Sequence, residues 1–152
     1  MLKFSVFPIE QSPGKIVTET HLTINLGLNR VFQSHGYKIT PEHWSLLGKL
    51  CEKDGITQAK LAERARKDRP TTTRILDTLE RNGFVRRVRD PNDRRSYRIF
   101  LTERGKTTQK KLAPLVIDFF HRAFSELTHD ELDTFLSRNK KIIKNLSDLS
   151  SP

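Results

Sequence analysis

The stretch ITQAKLAERARKDRPTTTRILDTLERNGFVRRVRDPNDRRSYRIFLTERG, Ile56 to Gly105, switches its apolar period halfway along, and the switch decides the fold. Before Asn82-Gly83 the apolar residues step by three and four; after it they alternate. Thr57 offers a capping hydroxyl, and Ile56 can staple onto Leu61. Leu61, Ala62 and Ala65 then give a short helix with a narrow apolar face. Asp68 caps a second helix that tolerates Pro70 in its first turn and turns Ile75, Leu76 and Leu79 inward. Arg69, Thr71, Thr73 and Arg74 are left on the outside. Asn82-Gly83 is a C-terminal stop. Phe84–Arg89 and Tyr97–Leu101 read as strands, with Tyr97, Ile99 and Leu101 on one face. Asp90-Pro91-Asn92-Asp93 between them is turn chemistry.

Working outward, Thr40-Pro41 starts a helix that runs to about Asp54, with Trp44, Leu47, Leu50 and Cys51 on one face. Upstream, Val17, His21, Ile24, Leu28, Val31 and Phe32 form a helical stripe from Ile16 to about Gly36. Downstream, Thr102 caps a long helix whose interior Pro114 should kink or break it. Thr128-His129-Asp130-Glu131 is a capping box that opens a last helix, and the Ser-rich end should fray.

Charge is segregated along the chain. Lys60 to Lys111 holds 17 Lys and Arg against 7 Asp and Glu, a net of +10, while the remaining residues hold 11 of each. A basic working segment between neutral flanks suits a polyanion-binding protein. The single cysteine excludes an intramolecular disulfide framework. Pro8 and Glu10 cut the N-terminal apolar run short of a signal peptide, and no later run approaches a membrane span. A cytoplasmic protein is the expectation.

The order helix, short helix, turn, helix, hairpin is a winged helix-turn-helix, in which the second helix of the motif enters the DNA major groove. Threonine hydroxyls there can meet phosphates or base edges, and Arg can fork onto guanine. Arg94 and Arg95 at the hairpin tip can reach the adjacent minor groove, with Asp93 beside them to pre-orient a guanidinium.

TRxLDxLExxGxVxR, from Thr73, and DPxDRRxxxxxLTxxG, from Asp90, resemble the DNA-binding core of MarR-type transcription regulators. The resemblance implies a mainly α fold with a small β-hairpin wing, one domain over residues 1–152. The winged lobe would occupy residues 40–105, and dimerisation helices residues 1–36 and 106–148. It places Arg69, Pro70, Thr71, Thr73, Arg74, Asp93, Arg94 and Arg95 at double-stranded DNA. The chain departs from the family pattern at Pro70, often Ser, and at Thr72, usually small and apolar. A ligand-responsive repressor is implied, with His21, Phe32 and Trp44 lining a cleft for a small aromatic or anionic effector.

Other readings are narrower. Cys51 belongs with the apolar stripe as a small buried residue rather than a redox sensor. The scattered histidines lack ligand spacing, so no metal or cofactor is expected, nor is catalysis. Phe119, Phe120, Phe124, Phe135, Ile142 and Ile143 are more apolar surface than two terminal helices bury alone, which a homodimer would cover. A winged-helix RNA-binding or ribosome-binding module is the alternative in another class.

Overall fold

A computed structural model describes Pro8 and residues 11–149. The rest of the N-terminal apolar run and the last Ser-rich residues, 150–152, lie outside the described residues. The elements are α1 (Pro13–Ser34), α2 (Pro41–Glu52), β1 (Ile56–Thr57), α3 (Gln58–Ala65), α4 (Arg69–Arg81), β2 (Val85–Arg89), β3 (Tyr97–Leu101), α5 (Glu103–Ala123) and α6 (His129–Leu149). The chain divides into two compact units, residues 1–115 and 116–152, and the division falls just after Pro114.

Local chemistry sets the helix starts in the first unit. Ser12, Thr40, Thr57 and Asp68 each accept a backbone N–H three residues on, and Pro fills an early position in α1, α2 and α4. At α2 the cap is reciprocal: Thr40 Oγ1 takes the His43 N–H, and His43 Nδ1 takes the Thr40 N–H at 3.3 Å. Burial holds the His43 ring below its ordinary pKa, against the pull of Glu42, which keeps Nδ1 available as the acceptor.

The sheet has three strands in the order β1-β3-β2, all antiparallel, with Val85 opposite Leu101, Arg87 opposite Ile99 and Ile56 also opposite Ile99. The third strand, β1, was not expected, since Ile56 was read only as a staple. Gly55 makes it possible. Its φ of +67° is a conformation that L side chains rarely adopt, and a Cβ there would come within 2.7 Å of the Phe100 ring. The Gly55 N–H reaches the Ile99 carbonyl at 3.0 Å and so extends the ladder.

The core of this unit is Leu46, Leu47 and Leu50 of α2, Leu61 of α3, Ile75, Leu76 and Leu79 of α4, and Ile99 and Leu101 of β3. Each helix offers one stripe, and α2, α3, α4 and the sheet pack on one another in sequence. In α1 only Leu28 and Phe32 of the expected stripe are buried, whereas Val17 is 52% exposed. Cys51 is exposed, not buried as expected. It sits about 100° round the helix from Leu50 in the last turn, beyond the arc that Leu46, Leu47 and Leu50 direct inward.

The long helix α5 is continuous through Pro114, so the proline does not break it. It removes the N–H that would bond the Lys110 carbonyl, one lost bond in a helix of 21 residues. In the second unit, Glu131 and Thr128 form the anticipated capping box, with Thr128 N–H on Glu131 Oε2 at 2.9 Å. Phe119, Phe120, Phe124 and Phe135 form a ladder of ring contacts with centroids 5.5 to 6.1 Å apart. Along α6, Leu136, Ile142 and Ile143 remain 45 to 47% exposed. No helix among the described residues is long and apolar enough to cross a membrane.

Candidate nucleic-acid interface

The turn between α3 and α4 is built to present α4. Arg66 takes the left-handed conformation, φ +52°, at the end of α3, and the Lys67 N–H closes onto the Ala62 carbonyl at 3.0 Å. Asp68 then caps α4 twice over. Its Oδ1 accepts the Thr71 N–H at 2.7 Å and its Oδ2 accepts the Thr71 hydroxyl at 2.8 Å. These bonds, the backbone one first, hold the Asp68 carboxyl below its ordinary pKa.

That geometry changes what the threonines can do. The Thr71 proton goes to Asp68, and the Thr73 proton goes to the Arg69 carbonyl at 2.9 Å. Thr73 Oγ1 also accepts the Gln58 amide N–H at 2.6 Å. A hydroxyl has one proton, so neither can donate to a phosphate without giving up an internal bond. A phosphate contact by either hydroxyl would therefore come in exchange for an internal bond, whereas contact through a methyl group needs no exchange. Thr72 is wholly buried, and its hydroxyl closes on the Asp68 carbonyl at 2.9 Å, which is how a polar residue sits at an apolar position. Arg69, Pro70 and Arg74 are exposed.

The arginines of the hairpin divide into two kinds. Arg87 is a structural residue, 16% exposed, clamped by Asp77 and Glu80 of α4 at 2.7 Å each. Arg98 Nε bonds the Asp90 carboxylate at 2.9 Å, and Asp90 is buried. Asp90 also accepts the Asn92 N–H at 2.9 Å, and these bonds, led by Asn92, hold its carboxyl below the usual range. Arg86 lies over the Phe100 ring at 4.9 Å. Arg89, Arg94 and Arg95 are exposed. Asp93, expected to orient a guanidinium, instead accepts the Arg95 backbone N–H at 3.0 Å. That is an Asx turn, which shapes the tip rather than a side chain.

A groove of about 360 Å³ brings Arg69 of α4 together with Asp93 and Arg95 of the wing. Gln58, Ala59, Ser96 and Tyr97 complete its lining, residues that sequence reading did not place at the interface. Tyr97 shares a face of β3 with Ile99 and Leu101, but at the start of the strand it is 39% exposed while those two are buried. Only its position beside a turn could have signalled this.

A second cleft, about 540 Å³, lies between α1 and α2, with His21, Asn25, Asn29, Glu42, Ser45 and Lys67 among its lining. Lys67 and Glu42 are paired across it at 2.6 Å. Of the three residues expected to line an effector site, only His21 does. Phe32 of α1 is wholly buried and packs against the half-buried Trp44 of α2, ring centroids 6.4 Å apart. Among the described residues no three His, Cys, Asp or Glu side chains come together as a metal site.

The MarR family model matches residues 39–97, which covers α2 to the start of β3. The HTH-type transcriptional regulator PrsX of Escherichia coli is 32% identical over 96 residues, 63% of this chain and 58% of PrsX. The chain thus spans little more than half the length of that relative. The HTH-type transcriptional regulator YybA of Bacillus subtilis is 30% identical over 108 residues, 71% of this chain and 72% of YybA. The crystal structure of a MarR mutant from E. coli complexed with operator DNA superposes with a TM-score of 0.79 at 27% identity, over 85% of this chain and 91% of that one. By sequence, by element order and by the two arginine-bearing phrases, the chain belongs to the MarR family.

Proposed function

We propose that the chain is a homodimeric, sequence-specific regulator of transcription that binds a pseudo-palindromic double-stranded DNA site in the cytoplasm and represses until a small effector loosens it. The observation that carries the reading is the pairing of an exposed arginine-bearing helix start, Arg69 to Arg74, with an exposed arginine hairpin tip in the one basic segment of the chain. In this assignment the N-terminal turn of α4 enters the major groove, where Arg74 forks onto a guanine and Pro70, Thr71 and Thr73 meet base edges and methyl groups. Arg94 and Arg95 enter the adjacent minor groove, on a turn shaped by Asp93. The operator complex of the MarR relative favours duplex DNA over RNA as the polyanion.

The dimer rests on apolar exposure. Ile16, Val17, Leu22 and Leu26 of α1 and Phe135, Leu136, Ile142 and Ile143 of α6 are all 40% exposed or more. Helices in residues 1–36 and 106–148 would cover this surface by pairing with a second copy, which sets two recognition helices about one DNA turn apart. The cleft beside His21 and Lys67 is of a size to take a small aromatic or anionic effector. An effector acts only by binding one spacing of the recognition helices better than another.

The test is binding of the protein to its own upstream region, a random duplex and a structured RNA at several salt concentrations. Preference for the upstream duplex is expected. Equal weak binding to all three would replace the reading with a general polyanion surface.

A further inference from the structure

We infer that the groove between α4 and the wing is a phosphate seat, in which Arg69, Arg95 and Tyr97 hold the DNA backbone strand that separates the two grooves being read. The inference rests on the proposed function and adds to it a place and a residue. A helix in the major groove and a hairpin in the neighbouring minor groove necessarily have one sugar-phosphate strand running between them. In this fold the ground between those two elements is the groove whose lining includes Gln58, Arg69, Asp93, Arg95 and Tyr97.

Its chemistry suits a phosphodiester. Arg69 and Arg95 both line it, one at the start of α4 and one on the hairpin tip. The acid in the lining, Asp93, accepts the Arg95 backbone N–H at 3.0 Å, which offsets part of its charge and sets the turn that carries Arg95. Gln58 is bonded to Thr73 at 2.6 Å, and Thr73 in turn to the Arg69 carbonyl at 2.9 Å, so the floor is tied to the arginine's own backbone. Tyr97 adds a donor without a charge. It is the first residue of β3, 39% exposed, and its phenol can donate one hydrogen bond to a phosphate oxygen. Such a contact fixes register and carries no sequence information, so it acts alike on every duplex.

The test compares wild type, Tyr97→Phe and Arg69→Ala by fluorescence anisotropy on operator and random duplexes over a salt series, with thermal melting as the fold control. Tyr97→Phe should weaken both duplexes alike, by about tenfold, because one hydrogen bond to a charged group is lost. Its salt slope should not change, while Arg69→Ala should flatten the slope by about one charge. Replacing operator phosphates one at a time with methylphosphonate should find a position where wild type loses more affinity than Tyr97→Phe does, the arginine share being lost in both. Wild-type affinity in Tyr97→Phe, or a loss confined to the operator, overturns the seat while leaving DNA binding intact. Failure of wild type to bind any duplex overturns the proposed function, and the seat with it.

Discussion

Gly105 is the sharpest test of how the first unit is packed. It lies in the first turn of α5, where its N–H bonds Thr102 Oγ1 at 3.0 Å. A Cβ at this position would fall far inside van der Waals contact with the Phe84 carbonyl oxygen, with Leu101 Cδ2 3.1 Å away. That oxygen cannot step aside cheaply, because it accepts the Thr102 N–H at 3.1 Å and fixes β2 against the start of α5. Two effects compete in Gly105→Ala. Alanine is the better helix former by about 1 kcal/mol. Forcing a methyl into filled space costs about 1–3 kcal/mol or more, and a pinned backbone atom puts this site at or beyond the top of that range. The clash wins, with a net loss of about 2 kcal/mol. At roughly 2–4 °C per kcal/mol for a chain of this size, the melting midpoint should fall by about 4–8 °C. Thermal and urea unfolding measure it. Thr107→Ala, an exposed position on the same helix, is the control and should gain a few tenths of a kcal/mol. A Gly105→Ala variant as stable as wild type would refute the close approach of α5 to Phe84.

Arg66→Gly should raise stability by about 1 kcal/mol, since a non-glycine residue in the left-handed region is strained, and it should lower DNA affinity in low salt by removing a cation beside α4; denaturation and binding titrations check both. Arg74→Ala should cost about 1–3 kcal/mol on the operator and less on random DNA, and equal losses would make it a phosphate contact. The Asp90 carboxyl is held below its unfolded pKa, so its stabilising share is present above the ordinary carboxylate range and is lost as pH falls through the lowered value. Acid unfolding of Asp90→Asn should accordingly show a shallower limb than wild type, and identical limbs would argue against the Arg98–Asp90 link.

What could be read from sequence was local. Thr40-Pro41, Thr57, Asp68 and the Thr128–Glu131 box name their helix starts because a cap acts over three residues. The hairpin was legible because period two and a turn dipeptide sit side by side. What was missed depends on contacts distant along the chain. β1 exists only through its pairing with β3, Ile56 opposite Ile99 and Thr57 opposite Arg98, and Arg87 is structural only because Asp77 and Glu80 of α4 face it. Spacing alone puts Cys51 with the apolar stripe and Tyr97 on the face of Ile99 and Leu101, but each lies near the end of its element and is exposed. The threonines of α4 show the same limit at the candidate site. Their position outside was readable, but where their protons go was not, because Gln58 is fifteen residues from Thr73. Phe32 and Trp44 satisfy the apolar pattern equally well as cleft or core; Phe32 is wholly buried against Trp44, a contact between α1 and α2 that spacing within one helix does not show.

The measurement that tests the central claim most directly is a hydroxyl-radical footprint of the protein on its own upstream duplex, repeated with Arg94→Ala. The account predicts two dyad-related protected patches about one helical turn apart, flanked by minor-groove protection that Arg94→Ala removes. A single continuous patch without a dyad, or flanking protection that survives Arg94→Ala, would contradict it.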